Sequence, residues 1–566
     1  AWVSLTPDDT QGLHIRYGIA GDGPIDIVAS SGECEVSLIN TAGNSGGVLG
    51  YYSPLHASVR SGWGYGVLLR VLLWHPDEVA IAVSSLTRSG TTATVMTASA
   101  HGLSTGDWVT IAGADQSEYN GTAIRVTVVD ADEYTYTVSG TPATPATGSI
   151  TSRHVYMKHY GKVAVIDPLP GQYRGPKVRV VSYDPIRDLA EADLREVGLE
   201  TSQTESEIVA AIVAALPAAS QPPRTDLDTG VDTYPYAFHD LRGGVKALGI
   251  IANTAISAFA MVACKGDGTL VLRSRHTRAV AASVGTFADA DLADFVGPSS
   301  LDTVYNLVRV TIHPPTVDAA ATTILYSATS VLSVAPSETL TLWARYVDPT
   351  DLTRNIGGDA VVDPLVANTH YGGRPNADGA GADVSGDLVV TITPFASTAK
   401  LEIENTGAAT VYLVDAAGDP FLQIVGKGVY DDGPQTFEAS SVQSYGTRPL
   451  SIEMPYQDDP VIAQSAATYL DAQRSSLSLQ PKTIEFWADK SSTLLTHALA
   501  REPGDVVTVS ETVTGFSSVD ATIQSIELTV LPGLFMQCRW TLAPSSASAS
   551  WILGSSDLGE ETILGF

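Results

Sequence analysis

The residues able to do chemistry are few and scattered. Cys34, Cys264 and Cys538 are the only cysteines. They lie far apart and form no CxxC pair, so neither a redox centre nor a disulfide framework is expected. A nucleophilic thiol needs a lowered pKa, and Cys34 stands between Glu33 and Glu35, whose charges push the other way. Cys538 alternates with Leu534, Met536, Trp540 and Leu542 and reads as a buried thiol in a strand. His101 has no His, Cys or Asp at ligand spacing, so a metal site there is disfavoured. Asp378, Asp383 and Asp387 share the loop NADGAGADVSGD, which lacks the EF-hand spacing and reads as a solvated loop. Asp458 and Asp459 resemble a catalytic pair but precede Pro460, and read as anions at a helix start. Arg273, Arg275, His276 and Arg278 form the main basic cluster. They are read as solvated side chains, with pairing to a neighbour's carboxylates as the alternative.

No HExxH, GxSxG or GxxxxGK[ST] occurs, and Gly21-Asp-Gly23 lacks the third glycine of a dinucleotide loop because position 26 is Asp. Glycoside hydrolysis needs only two carboxylates in a groove; among 62 acidic residues the sequence neither excludes nor favours it. No catalytic, metal or cofactor residue is assigned, and the reading is non-enzymatic.

The elements that would position these residues are mostly strands. The chain of 566 residues is too long for one core. Charged residues make up only 17% while Gly, Pro, Ser and Thr abound, a mixture that favours short strands and turns. The formal charge of −30 is opposite to that of a protein gripping phosphate. It suits either a soluble acidic protein or a surface that DNA slides past. Neither a basic, apolar leader nor a membrane-length apolar run is seen, and a chain made inside the cell without a signal peptide is expected.

In order, residues 25–44 show two apolar runs split by Ser-Gly and predict a hairpin. A glycine-rich loop covers 46–54, and 67–74 (VLLRVLLW) predicts a strand buried on both faces or lying at a subunit contact. Residues 86–152 predict a small β module with a tight Asn120-Gly121 turn, after which 155–165 resumes the first pattern. Strand 177–183 leads to a short helix over 185–197, and a capping box at Thr204/Glu207 opens a helix through 216. A second helix is predicted over about 240–256, then a hairpin about the turn 265–268. After a strand at 304–312, strands at 340–346, 388–392, 401–404 and 411–414 predict a sandwich. Leu450, Ile452 and Met454 alternate in a strand. Asp458, Asp459 and Pro460 start a helix whose apolar face holds Val461, Ile462, Ala466, Tyr469 and Leu470, so the chain returns to a domain it had left. Strands over 483–487, 505–513, 526–530 and 534–542, the last two joined in a hairpin by Pro532-Gly533, and an apolar-ended tail, WILGSSDLGEETILGF, complete it.

Several phrases carry a resemblance. HGLSTGDWVTIAGADQSEYNG and TYTVSGTPATPATGSI resemble small β modules of bacteriophage tail proteins. GECEVSLINTAGNSGGVLGYYSP, the hairpin at 258–272, NTGAATVYLVDAAGDPF and the C-terminal ending resemble phage minor tail proteins of the tail-hub or baseplate-hub type, which close the distal end of the tail tube. The resemblance implies a virion protein of the tail tip, assembled in the host cytoplasm. Expected partners are further copies of itself in a ring (usually a homotrimer), the tail tube or distal tail protein, and a tip, fibre or tape-measure protein. DNA would meet it only in transit through the lumen. A host-surface glycan-binding tail adhesin is the alternative, and a tail-associated cell-wall hydrolase a weaker one.

The fold expected is mainly β and multidomain, with β-barrel-like hub domains, an inserted module, a β-sandwich and one α/β domain. The expected segments are a discontinuous hub β domain (1–85 with 153–175), the module (86–152) and the α/β hub domain (176–312). A sandwich insertion (313–430), a C-terminal hub domain with helix and barrel (431–544) and a linker with docking tail (545–566) follow.

Overall fold

The computed structural model describes residues 4–545 except 22, 172–174, 231, 240, 242–244, 298–299, 432, 443–444, 478–479 and 532–534, together with 550–551 and 563–564. Strand accounts for 45% and helix for 14%, so the fold is mainly β and multidomain. The expected docking tail and the 532–533 turn lie outside the described residues, apart from the two short pairs.

Residues from opposite ends of the chain share the largest core. Strand Asp9–Gly18 runs antiparallel between Ser30–Ile39 and Phe516–Val530, so that Ile15 lies opposite both Cys34 and Leu528. Outward on one side follow Lys177–Tyr183, Gly148–Leu169 and Leu68–Leu73. On the other follow Met536–Pro544, Thr483–Trp487 and Asp294–Val296. The sequence dictates the faces: in Ser30–Ile39, Gly32, Cys34, Val36 and Leu38 point inward while Glu33, Glu35 and Ser37 alternate outward. Phe287, Phe486 and Trp540 pack edge to face or tilted, with centroids 5.0–5.3 Å apart, at the centre of the C-terminal half.

Two expectations fail here. No hairpin turns at Ser31-Gly32, because the strand runs straight through. Glycine is needed there for close approach: a Cβ would lie 2.6 Å from Asp184 Oδ2 and 2.7 Å from Tyr17 Cβ. Nor is 67–74 buried on both faces. Leu68–Leu73 pairs only with Gly148–Leu169 among the described strands, and only its Leu69 is fully buried.

The region of 81–150 has its own cluster, with Leu86, Val95, Val109, Ile111, Tyr119, Tyr134, Tyr136 and Ile150 at its centre. Its turn differs from the expected two-residue form. A single 3₁₀ turn, Ser117–Tyr119, precedes Asn120, whose side chain donates to Ala114 O and accepts from Ala114 N. The return strand Gly148–Leu169 spans 22 residues, pairing with Trp108–Ala114 at its start and with Leu68–Leu73 and Lys177–Tyr183 further on.

Helices Glu205–Ala215 and Ala247–Ala258 cover the small sheet of Arg224–Leu227, Thr269–Arg273 and Met261–Cys264. The Thr204/Glu207 capping box forms as read. The preceding helix, Pro185–Glu191, stops earlier than expected, although Leu194 and Val197 remain buried beyond it. Helix Ala247–Ala258 begins later than expected, and 240 and 242–244 are outside the described residues.

Strand Leu307–Ile312 lies between Gln435–Ser440, antiparallel, and Pro449–Met454, parallel and in register. Helix Pro460–Arg474 packs on them through Ala463, Ala466, Ala467 and Leu470. The face differs in part from the expected one: Ala466 and Leu470 are buried as read, but Val461 is 71% exposed and Ala463 and Ala467 are buried in addition. Between these strands the chain forms further sheets, the larger being Thr339–Arg345 with Thr398–Asn405 and Leu388–Pro394, and Gln423–Asp431 with its neighbours. They enclose Leu325, Tyr346, Leu401, Ile403, Leu413 and Ile424.

Candidate functional site

The glycine-rich segment after Ile39 is an ordered platform. Asp8 is buried and its carboxylate accepts from Ser45 N (2.6 Å), Ser45 Oγ (2.5 Å) and the hydroxyl of the fully buried Tyr52. Asn40 accepts from Tyr52 N and donates to Ser53 Oγ. Trp63 Nε1 donates to Tyr52 O, and the rings of Tyr51, Tyr52 and Trp63 pack edge to face at 5.1 and 5.2 Å. Buried charge-assisted bonds of this kind fix a loop firmly. What the fixed loop and the edge strand beside it present is apolar: Val48, Leu49, Leu55, Tyr65, Leu68, Trp74 and Val79 are all exposed, Leu55 completely.

A cleft of about 1350 Å³ opens between the 101–108 loop, strand Gly148–Leu169, the 265–269 turn and the 499–506 segment. Ion pairs tie its walls. Lys158, 1% exposed, donates to Glu502 Oε1 at 2.9 Å and to Arg501 O at 3.0 Å, while Glu502 Oε2 accepts from Gly266 N. Burial raises the Glu502 pKa, and the Lys158 charge opposes that shift. Trp108 Nε1 donates to Asp267 Oδ2 at 3.1 Å, and the Arg224 guanidinium lies 4.9 Å from the Trp108 ring centre.

His154 is among the titratable residues that line the cleft. Its Nδ1 lies 3.5 Å from Glu78 Oε2 and its Nε2 3.8 Å from Asp107 Oδ2. Tyr156 Oη donates to Glu78 Oε1 at 2.7 Å. Burial lowers the His154 pKa, against the pull of both carboxylates. Each ring nitrogen faces an acid of the protein itself, one on the 75–79 turn and one on the 101–108 loop.

The residues singled out from the sequence are not brought together. All three cysteines are buried and their thiol pKa values are pushed up, chiefly by burial; for Cys34 the charges of Asp9 and Glu35 add to it. His101 Nδ1 accepts from Leu103 N, and its ring meets Tyr134 edge on. Asp383 accepts from Ser385 N, Ser385 Oγ and Asn368, which lowers its pKa to about 2. Asp378 accepts from Ala380 N. Among the described residues no group of three His, Cys, Asp or Glu is placed to hold a metal. Asp459 caps its helix through Val461 N at 2.7 Å. Asp458 is not the cap, and burial raises its pKa.

The basic cluster corrects the solvated reading. Arg273 reaches Asp226 (2.6 Å) and Asp228 (2.9 Å), and Arg275 grips Asp232 with both terminal nitrogens at 2.6 and 2.8 Å. Arg278 donates to Phe259 O. The carboxylates they meet are their own chain's. His276 lies exposed on the short helix Arg275–Ala279. The one available signal was the row of acids Asp226, Asp228 and Asp232 upstream; their pairing depends on the parallel register of Arg224–Leu227 with Thr269–Arg273. Sequence reasoning missed Lys158 and Glu502. A lysine inside the apolar run VYMKHY was the available signal.

No family model matches the chain, and no curated protein matches it. Among solved structures it is similar to the 43 kDa tail protein of prophage MuSo2 from Shewanella oneidensis, at 11% identity and TM-score 0.38, over 86% of this chain and 99% of that one. It is also similar to a tail protein from Neisseria meningitidis MC58, at 11% identity and TM-score 0.36, over 85% and 96%. A third is prophage tail protein gp18 from Listeria monocytogenes EGD-e, at 8% identity and TM-score 0.32, over 77% and 88%.

Proposed function

We propose that the chain is a structural component of a tailed phage virion, a hub or tip protein at the distal end of the tail tube. Copies of the chain assemble into a ring, a homotrimer in this reading, that continues the DNA channel and anchors tip or fibre proteins. Its work is assembly, not catalysis. The observation that carries this reading is the rigid apolar platform of 48–79. Hydrogen bonds to Asp8 and Asn40 hold it in place while it exposes Leu49, Leu55, Tyr65 and Trp74. Exposed apolar surface of this extent, fixed rather than mobile, marks a protein contact, and the one-sided strand Leu68–Leu73 beside it offers backbone pairing to a neighbour. The sequence phrases that resemble tail hubs point the same way, and the charge of −30 suits a lumen that DNA passes without sticking.

Light scattering with negative-stain imaging of the full chain tests this. A closed ring that Leu49→Asp with Leu55→Asp converts to folded monomers is the expected result. A monomer at high concentration, with no ring in particles that carry the protein, overturns the reading.

A further inference from the structure

We propose that the surface around Trp343 binds an acidic sugar, a ring bearing a carboxylate or a phosphate. This site lies where the region between Leu307–Ile312 and Gln435–Ser440 meets the 194–197 segment, and it does not depend on the hub reading. Trp343, on strand Thr339–Arg345, is 41% exposed and stacks on Phe395 with centroids 5.7 Å apart and planes 20° apart. Trp343 stands at a depression of about 160 Å³ lined by the buried Leu194, Val197 and Ala396 and the exposed Arg195 and Arg345.

The arginines distinguish this place from the rest of the chain. Among the described residues the side chains of Arg195 and Arg345 make no hydrogen bond or close ion pair, Arg195 reaching Asp193 only as a nearby charge, whereas Arg273 and Arg275 pair with aspartates. The neighbouring Asp193 is already held by Lys246 at 2.7 Å, and Lys400, across the strand from Trp343, is held by Glu402 at 3.0 Å. In a chain of net charge −30, two guanidiniums with no hydrogen-bonded acid beside an exposed indole stand out. The complement is an anion with an apolar face. A sugar ring offers its C–H face to the indole, and a carboxylate or phosphate on it takes the planar fork of an arginine. The floor is preformed, since Ala396 N donates to Val197 O and Ser397 Oγ to Leu241 O, so little ordering is needed on binding. A nucleic acid would also stack, but it carries a charge on every residue and meets the repulsion of the whole chain. A saccharide with one acid per repeat meets far less.

Calorimetry and tryptophan fluorescence on the full chain test this with four probes: a hyaluronan hexasaccharide, mannose 6-phosphate, neutral maltohexaose and a thymidine hexanucleotide. Saturable binding of one or both acidic sugars is expected, and which one binds identifies the acid. Trp343→Ala and the pair Arg195→Glu/Arg345→Glu should each weaken it by about tenfold or more. Trp343→Phe should retain most of it, with unchanged melting temperatures because these side chains are exposed. Absence of binding to both acidic sugars overturns the proposal. So does equal or tighter binding of maltohexaose or the oligonucleotide, or binding that Trp343→Ala leaves intact.

Discussion

Lys158 and Glu502, from opposite halves of the chain, form an ion pair of 2.9 Å in which the lysine is 1% exposed. Two charges taken out of water stabilise the fold only while they remain together, and removing one strands the other. Lys158→Met should therefore cost about 3–5 kcal/mol in denaturant unfolding. The double variant Lys158→Met/Glu502→Leu should recover much of the loss. A double variant no better than the single would show that packing, and not the stranded carboxylate, sets the cost.

Asp184 caps helix Pro185–Glu191 from a buried position, and burial raises its pKa to about 7. Unfolded, the same carboxyl ionises near about 4. Between those values the folded chain holds a proton that the unfolded chain has released, so stability falls as pH rises through that window. Asparagine caps as well as aspartate. Asp184→Asn should flatten the melting temperature between about pH 4 and 7 and melt above the wild type at pH 8. Gly32→Ala, which places a methyl against Asp184 Oδ2 and Tyr17, should destabilise by about 1–3 kcal/mol.

His313 closes the region between Leu307–Ile312 and Gln435–Ser440. Its Nδ1 lies 3.2 Å from Asp431, at the end of the outgoing strand, and its Nε2 2.9 Å from Glu453. The Asp431 hydrogen bond, with Glu453 adding to it, raises the pKa to about 9. The stabilisation is complete below the unfolded value of about 6.5 and is lost as pH rises through about 9. Melting curves of wild type and His313→Gln should differ most at the acid end of a series from pH 6 to 10 and converge at its alkaline end. A constant difference across the series would contradict the latch.

Helix Pro460–Arg474 provides a direct check of which face is buried. Leu470 is 4% exposed, and Leu470→Ala should cost about 2–5 kcal/mol. Val461→Asp, at a position 71% exposed, should change stability by less than about 0.5 kcal/mol. Comparable losses at both positions in urea titrations would restore the face expected from helical spacing alone.

These cases show what could be read from residues and what could not. Asp459-Pro460 and the Thr204/Glu207 box are local signals, and the structure keeps them both. The strand of Leu450, Ile452 and Met454 is equally legible because its alternation needs no partner to be seen. Ser31-Gly32 misleads because glycine serves both turns and close approaches, and only the distant Asp184 tells them apart. The arginines at 273–278 misled for the same reason: their carboxylates are brought to them by a parallel strand pairing that no local pattern announces. Exposure of Leu49 and Leu55 was invisible because an apolar residue on a fixed loop has the same sequence signature as one in a core.

The strand Gly148–Leu169 begins among the residues packed around Tyr134 and ends in the main sheet, its pairing carried on past irregularities at Met157/His159 and Val163/Val165. Two packed bodies joined by a loop can swivel; two that share one extended strand cannot turn without shearing a ladder of bonds. A force applied at the outer body would therefore reach the inner sheet as tension along a single peptide rod. In pulling experiments the two should yield together, at one rupture force, and not one after the other.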